Sequence, residues 1–380
     1  MTRQPLSIPW APLPRTDRWL WLAIALLVPL GVLMVYSASL EAEQPSGPNG
    51  ELVRQAGYAA VGLVAMLVAA RFDYRALAPL AAAVYGLAIL LLAAVLVIGV
   101  SEHGSQRWLG AGGITVQPSE FAKLALAVTL AAYASTRQPR LAAVGVSLGL
   151  TALPMGLVAL QPDLGTVIVL AGIWLVGLVA WGVSWRVLGA MASIGLALVP
   201  FLLIAMPAYQ RERLAVFLDP SRDPLGSGFN LRQVEVAIGT GGVTGHGLFS
   251  GAESHLDSVS ARSSDFMFGF LGAELGLIGG LFFIALLSIV VTRGFASALR
   301  APDGFGRFLA VGLTAMILTQ GVVNIGVNLR LFPTTGIPLP FISQGGSALV
   351  VTLIAAGLLQ SIAARRPATS EERWRAERWR

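Results

Sequence analysis

Long apolar runs dominate the chain, and short polar stretches separate them. A helix needs about 20 predominantly apolar residues to cross a bilayer. Runs this long are typical of helices and not of barrel strands, because backbone polar groups in lipid must bond within the segment. The pattern predicts an all-α, polytopic integral membrane protein with about ten spans: Trp19–Ala38, Val53–Ala70, Leu77–Val100, Pro118–Ala134, Leu141–Leu160, Thr166–Val183, Val187–Met206, Phe266–Thr292, Phe308–Val327 and Gly345–Ala363.

Arginine gives the predicted orientation, because short cytoplasmic loops carry an excess of positive residues. Arginines lie in the N-terminal segment, in every second connection and in the basic tail, residues 364–380, whereas the alternate loop Glu41–Gly50 has acids and no base. We therefore expect both termini in the cytoplasm and one membrane domain over residues 1–380. The formal charge of +6 then reflects topology and not a nucleic-acid partner.

The composition supports assignment to the membrane proteins and excludes several kinds of functional site. Apolar residues make up 55% of the chain and charged residues 12%, and the mean hydropathy is +0.73. The absence of cysteine excludes disulfides, thiol catalysis and thiolate metal sites. The three histidines, His103, His246 and His255, lack the paired spacing of a zinc site, so we predict no metal centre of that kind.

The only lysine in the chain, Lys123, lies inside the fourth predicted span, three residues after Glu120. On a helix these two side chains share a face and can pair. Charged residues within a membrane span are costly, and they usually mark a substrate or ion site. An ion pair that only fixes helix packing is the alternative.

Two connections on the predicted outer side are long, residues 101–117 and the large extracytoplasmic loop, residues 207–265. The mixed aromatic, charged and amide residues of the second predict a folded cap. Asp265 ends this loop at the start of an apolar helix, and Asp163 begins the sixth span in a Pro-Asp-Leu-Gly string. An acid at a helix start can cap the free backbone N–H groups or carry chemistry, and both readings stay open for both residues.

Two glycine- and proline-rich segments complete the predicted outer side. Residues 239–247 lack the Gly-Lys-Ser/Thr ending of a nucleotide-binding loop, so we interpret them as turns that return the loop to the membrane. Residues 332–347 hold three prolines and a Gly-Gly pair and cannot be continuous helix. They predict an apolar re-entrant loop followed by a helix start.

Several of these strings together resemble the SEDS family of bacterial cell-wall polymerases, which includes RodA, FtsW and SpoVE. They occur in the family's order over nearly the whole chain: Gln117–Leu124, Gln161–Thr166, Phe217–Gln233, Ser264–Phe268 and Gly336–Ser347. The Pro-Thr-Thr-Gly-Ile-Pro string at 333–338 is more similar to RodA than to FtsW. The chain departs from the family at Gln344, where tyrosine is usual, at Arg330, where glycine is common, and at Ser264, where threonine is frequent.

The resemblance implies polymerisation of lipid II, an undecaprenyl-pyrophosphoryl disaccharide-pentapeptide, at the outer face of the bacterial cytoplasmic membrane, for cell elongation and shape. A sugar hydroxyl must attack an anomeric carbon while a diphosphate leaves, so a base and positive charge are needed. The family's essential acid falls on Asp265, which we assign as the general base. The expected substrate-binding residues are Lys123, Glu120, Asp163, Arg107, Arg211 and Arg213. Assistance by a divalent cation stays open.

Three alternatives to this function stay open at this point: a lipid II flippase, an FtsW-like division polymerase, and a non-enzymatic scaffold. The resemblance also implies a partner, a class B penicillin-binding protein that supplies transpeptidase activity. We expect its single membrane helix to contact small residues of the ninth span, such as Gly312, Ala315 and Gly321, since small residues allow close approach.

Overall fold

The computed structural model describes residues 16–40, 47–102, 105–111, 114–250 and 264–365. Twelve helices lie in these ranges: α1 (Arg18–Ser39), α2 (Gly47–Arg71), α3 (Leu77–Ile98), α4 (Pro118–Thr136), α5 (Leu141–Leu160), α6 (Leu164–Trp181), α7 (Trp185–Ala205), α8 (Ala208–Leu218), α9 (Ser227–Gly241), α10 (Met267–Leu299), α11 (Gly304–Asn328) and α12 (Gly346–Ala364). Two 3₁₀ turns, Tyr74–Ala76 and Pro220–Arg222, complete the helical part. The predicted all-α class is confirmed.

Ten of these helices match the ten predicted spans, and eight of the ten are long and apolar enough to cross a membrane. The first exception is α4, whose first two turns carry Ser119, Glu120 and Lys123 and lower its hydropathy. The second is α7, of which only Trp185–Phe201 counts as an apolar helix. The chain is therefore a multi-pass membrane protein.

Successive spans run in opposite directions and give the bundle two different ends. At one end, the arginine end, Arg293 pairs with Asp17, Arg75 pairs with Asp303 at 3.1 Å, and Tyr74 also bonds Asp303, at 2.6 Å. The other end, the cap end, holds the connections α3–α4, α7–α10 and α11–α12. In the middle of the bundle, α11 packs against α4, α6 and α10, and α12 packs along α2.

The cap end carries structure that hydropathy could not predict. The α3–α4 connection forms a small antiparallel sheet of β1 (Val100–Glu102), β2 (Ser105–Ala111) and β3 (Ile114–Val116), in the order β1-β2-β3. The large loop holds α8, a 3₁₀ turn and α9, which contact one another. The prediction of a folded cap is thus confirmed for its described residues, whereas residues 251–263 of this loop and residues 366–380 of the basic tail lie outside the described ranges.

Helix α10 is longer than the predicted span, and it breaks at Gly276, whose φ of 64° and ψ of −162° are not helical. The glycine-rich segment after α9 crosses this break: Leu277 N–H donates to Gly242 O at 2.9 Å, and Gly247 N–H donates to Glu274 O at 3.0 Å. A side chain at Gly276 would collide with the Val243 backbone, at 2.6 Å. The interpretation as returning turns therefore holds for residues 242–247, whereas residues 239–241 end α9. The turns also form hydrogen bonds with backbone groups on both sides of the break.

The α11–α12 connection re-enters the bundle as predicted. Its apolar residues Ile337, Leu339, Phe341 and Ile342 are buried. A Cβ atom on Gly31 of α1 would lie only 2.4 Å from Phe341 O, so helix and loop touch backbone to backbone. Gly31 lies eight residues below the end of α1, which corresponds to a depth of about 12 Å at 1.5 Å per residue.

Spans seven and nine have opposite environments. In α7 the first two turns pack on the bundle, but every side chain from Ala192 to Phe201 is exposed. In α11 the small residues are buried, since a Cβ on Gly312 would contact Ala127 at 3.0 Å and one on Gly321 would contact Leu287 at 2.6 Å. The prediction that small residues of the ninth span face a partner's helix is therefore wrong, because they allow close packing within the bundle.

Candidate active site

Asp265 lies just before α10, at the cap end, and its side chain is partly buried. The N-cap residue of α10 is Phe266, and among the described residues no hydrogen bond to the Asp265 side chain caps this helix. Its backbone carbonyl instead accepts hydrogen bonds from the amides of Asn324 and Asn328 on α11, each at 3.0 Å. Two buried amides thus fix the position of this turn through its backbone carbonyl, so the carboxylate is not required to hold it.

The re-entrant loop is bonded to the same turn. The Asn324 amide also donates to Ile337 O at 2.7 Å, and the Ser343 hydroxyl donates to Ser264 O at 2.6 Å. Gly336 has a φ of +74°, and a Cβ atom there would lie 3.8 Å from Asp265 Oδ2 and 3.9 Å from Arg107 Nη1. The carboxylate and this guanidinium therefore border the same small space.

Two arginines at the cap end, one in the α3–α4 sheet and one in the large loop, lie near Asp265 without pairing with it. Arg107, on β2, donates its Nε–H to Gln161 O at 2.9 Å and bonds Pro162 O. Arg213, on α8, donates to Thr334 O at 3.3 Å. Among the described residues, neither forms an ion pair within 4 Å, although both act electrostatically on Asp265. Backbone carbonyls therefore orient both guanidinium groups, and part of their donors stays available.

Burial raises the pKa of the Asp265 carboxyl above its ordinary value. A hydrogen bond from Ser264 and the charges of Arg213 and Arg107 oppose the rise, whereas the nearby charge of Asp163 adds to it. A carboxylate with a raised pKa is a stronger base than an exposed one, which suits proton abstraction from a hydroxyl.

Asp163 caps the N-terminus of its helix, which Asp265 does not do. Its Oδ1 accepts from Thr166 N at 3.0 Å, and its Oδ2 accepts from Thr166 Oγ1 at 2.9 Å and from the Gln117 amide at 3.3 Å. The side chain is buried, with 3% of its surface exposed. Asp163 thus begins α6 and joins it to the start of α4, and its charge acts on Asp265 through space.

Glu120 and Lys123 form the predicted pair on α4, with 2.7 Å between Lys123 Nζ and Glu120 Oε1. Both side chains are buried, at 2% and 1% exposed. Glu120 Oε2 and the neighbouring Ser119 hydroxyl are buried and have no hydrogen-bond partner among the described residues. The pair lies one to two turns inside α4 from Gln117, the residue that bonds Asp163. Charged side chains therefore extend from Asp163, at the cap end, along α4 into the bundle.

Arg211 is the one predicted site residue that the structure leaves outside this cluster. Its side chain is exposed and makes no ion pair or hydrogen bond with the described residues. On α8, Arg213 faces the re-entrant loop, and Arg211, two residues earlier, lies on a different side of the helix. The described part of the chain holds no group of three or more His, Asp or Glu side chains that could bind a metal ion.

The sequence reasoning missed the residues that position Asp265. Asn324 and Asn328 are buried, at 1% and 3% exposed, and lie one turn apart on the ninth span. A polar residue inside an apolar span signals a functional position, and the spacing of four places both amides on one face. The two buried amides could be recognised in the sequence. Their bonding partner, the backbone carbonyl of Asp265 59 or 63 residues away, could not.

Taken together, the cluster offers a carboxylate of raised pKa beside two oriented guanidinium groups, at the end of an apolar bundle. A carboxylate can accept a hydroxyl proton, and arginine forks match phosphate oxygens. The arrangement is therefore suited to transferring a group from a phosphate leaving group to a hydroxyl.

Comparison with known proteins agrees with this chemistry. The family model of FtsW, RodA and SpoVE, described as a cell cycle protein, matches residues 17–367. The chain is similar to the peptidoglycan glycosyltransferase MrdB of Escherichia coli K12, with 39% identity over 340 residues, 89% of this chain and 92% of that protein.

Two solved structures have the same fold. One is a chain of a peptidoglycan synthase complex that coordinates polymerisation and crosslinking, with a TM-score of 0.80, 32% identity, and coverage of 94% of this chain and 100% of that one. The other is the rod shape determining protein RodA of Thermus thermophilus, with a TM-score of 0.69, 29% identity, and coverage of 94% and 99%.

Proposed function

The chain belongs to the FtsW, RodA and SpoVE family of cell cycle proteins, and we propose that it polymerises lipid II at the cluster around Asp265. It is a peptidoglycan glycosyltransferase, like the relatives with which it shares most of its length. The observation that carries the site assignment is the Asp265 carboxylate, which neither caps its helix nor pairs with a described cation, and which Arg107 and Arg213 flank.

The reaction joins a sugar hydroxyl of one substrate to the anomeric carbon of another. In this proposal the hydroxyl proton passes to an Asp265 carboxylate oxygen as the new C–O bond forms, and the bond from the anomeric carbon to the diphosphate breaks. The electron pair of that bond leaves with the lipid diphosphate. Asn324 and Asn328 hold the base in place, so little reorganisation is needed when the proton moves.

The departing diphosphate gains negative charge, and the cap supplies positive charge for it. Arg107 and Arg213 come from two different parts of the cap and are oriented by carbonyls of residues 161–162 and 334. Their remaining N–H groups can donate to phosphate oxygens. Lys123 is buried against Glu120, and in this proposal it contacts a diphosphate when the substrate displaces the pair.

A lipid-linked substrate also needs a lateral route for its tail. Helix α7 departs from the bundle after Met191, and its apolar side chains up to Phe201 are exposed. The C-terminal end of α7 lies at the same end of the bundle as Asp265, since α7 leads directly into α8, which carries Arg213. This position favours lipid II arriving from the membrane with its head group under the cap.

The positive-inside pattern supports the orientation of this site. The arginine-rich connections lie at the end opposite Asp265. We infer that both termini are cytoplasmic and that the site faces the outside of the bacterial cytoplasmic membrane. The higher identity to MrdB, 39% against 36% for the FtsW relatives, favours the role in cell elongation over division.

We also infer a class B penicillin-binding protein as the partner, because the similar synthase complex coordinates polymerisation with crosslinking. The chain has no Ser-x-x-Lys nucleophile motif, since Glu120, and not a serine, lies three residues before its only lysine, Lys123. Crosslinking therefore requires a second protein. The ninth span is buried and is not the contact face.

One experiment tests the proposed function and separates it from flipping. Purified protein in detergent is given fluorescent lipid II, and the products are resolved by gel electrophoresis. A polymerase extends glycan strands in detergent, where no second leaflet exists. Intact lipid II after prolonged incubation, with a folded protein by thermal melting and with the partner added, would contradict the proposal.

A further inference from the structure

We propose that a groove at the arginine end, opposite Asp265, binds one acyl chain of an anionic phospholipid, with the head group at Arg137. The groove lies between α4, α5, α6 and α11 and encloses only about 30 Å³, so an occupant lies mainly along its open side. Its walls include Tyr133, Trp174, Gly177, Trp181 and Phe308.

The lining offers hydrocarbon contacts and almost no polar ones. Trp174 Nε1–H donates to Ser147 Oγ at 3.0 Å, and the Ser147 hydroxyl donates to Val144 O at 2.8 Å. Trp181 Nε1–H donates to Arg137 O at 3.0 Å. The polar atoms of the wall are therefore used within the protein, and an occupant of the groove must itself be apolar.

The dimensions of the groove suit one end of an acyl chain. On α4 the lining runs from Ala127 to Ala134, and on α6 from Ile173 to Trp181. At 1.5 Å per residue these stretches are about 10–12 Å long, which is less than the roughly 15 Å of hydrocarbon in one leaflet. The groove thus reaches from the head-group level at the arginine end toward the middle of the membrane.

The mouth of the groove is positively charged. The Arg137 guanidinium lies 5.8 Å from the centroid of the Tyr133 ring, which in turn meets Trp181 edge to face at 5.9 Å. Arg137 is exposed and forms no ion pair with the described residues, in contrast to Arg75 and Arg293 at the same end. Basic pockets between membrane helices at the cytoplasmic side bind anionic head groups, so the charge selects this class of lipid over a zwitterionic one.

The test uses native mass spectrometry on the purified full-length protein with dioleoyl phosphatidylglycerol or dioleoyl phosphatidylcholine, which share the same chains. We expect one phosphatidylglycerol per protein to survive collision energies that remove the annular lipids, with about fivefold tighter binding than phosphatidylcholine, the factor that one basic residue near the surface provides. Equal retention of the two lipids, or no retained lipid, would overturn the proposal.

Two substitutions assign the retained lipid to the groove. A Cβ on Gly177 would meet no atom within 4 Å although this residue lines the groove, so Gly177→Leu should fill the groove and remove the retained lipid. Gly149→Leu is the matched control, because Gly149 is also helical and has no neighbour within 4 Å but lies outside the lining. If Gly177→Leu keeps the lipid, the groove is not its site.

A separate variant tests whether Arg137 binds the head group, and it also tests the proposal if Gly177→Leu does not fold. Arg137→Gln removes an exposed charge and should reduce phosphatidylglycerol retention to the phosphatidylcholine level. An unchanged preference for phosphatidylglycerol in that variant would exclude Arg137 as the binding residue. Polymerase activity is not the readout, so this proposal can fail independently of the proposed function.

Discussion

The starts of α6 and α10 have nearly the same sequence signal but different bonding. Each has an aspartate at the junction of a loop and an apolar span, Asp163 in one case and Asp265 in the other. Asp163 accepts three hydrogen bonds and begins its helix, whereas Asp265 is fixed through its backbone carbonyl and its carboxylate caps nothing. The comparison indicates that a carboxylate whose backbone is held by other residues, and whose side chain takes no part in capping the helix, is available for chemistry.

Glu120 is intermediate between these two cases and gives the largest expected effect. One of its oxygens pairs with Lys123, and the other has no hydrogen-bond partner in the part of the chain that the structure describes. Lys123→Met alone leaves a buried charge uncompensated, so we expect a loss of about 3–5 kcal/mol in the free energy of unfolding together with loss of polymerisation. The Glu120→Gln/Lys123→Met double variant should regain stability without activity. Recovery of activity in the double variant would show that the pair only supports packing.

Asn324→Ala tests whether the position of Asp265 matters apart from its chemistry. The substitution leaves Ile337 O without its donor and leaves only one amide on Asp265 O. A misplacement of about 1 Å can lower a rate about a hundredfold, so single-turnover polymerisation should slow by roughly ten- to a hundredfold while lipid II still binds. Gln320→Ala is the control, since it removes a buried amide one turn away on α11 that does not contact Asp265. Equal losses in the two variants would mean a general packing effect.

Asp163→Ala should chiefly reduce stability. Loss of a helix N-cap costs about 0.5–2 kcal/mol, and Asp163 also bonds Gln117. We expect a lower melting temperature in detergent, measured by intrinsic fluorescence, and near-normal melting for Asp163→Asn, because asparagine also caps helices. A loss of activity in Asp163→Asn without any loss of stability would place Asp163 in the chemistry and remove the contrast with Asp265.

The pH dependence gives the smallest effect. Polymerisation needs ionised Asp265, so activity falls as the pH falls through the raised pKa of this group. Arg213 opposes the rise, so Arg213→Gln should raise the pKa further and move the acid limb of the pH–rate profile to higher pH. Asp163→Asn removes a charge that adds to the rise and should move the limb to lower pH. If the acid limbs of the two variants shift in the same direction, or each shifts opposite to its predicted direction, Asp265 is not the titrating base.

Hydropathy was sufficient to predict the spans, because membrane helices need long apolar runs. It could not predict that α10 breaks at Gly276, since the break depends on bonds to residues 242–247. The exposure of α7 and the burial of α11 also escaped prediction, because both helices are apolar on most sides. Within the site, the pairing of Glu120 with Lys123 is local and was predictable, whereas the amides that hold Asp265 come from distant sequence.

The most direct test measures activity and stability in the same Asp265→Asn preparation. Asparagine keeps the shape and the backbone bonds of Asp265 but cannot act as a base. Because burial raises the pKa of Asp265, ionisation of this group opposes folding as the pH rises above its ordinary pKa, so the neutral variant should melt at the same or a higher temperature at neutral pH. We predict no glycan strands from lipid II together with unchanged or raised thermal stability. Normal polymerisation by a variant that melts several degrees lower would contradict the assignment and make Asp265 a structural residue.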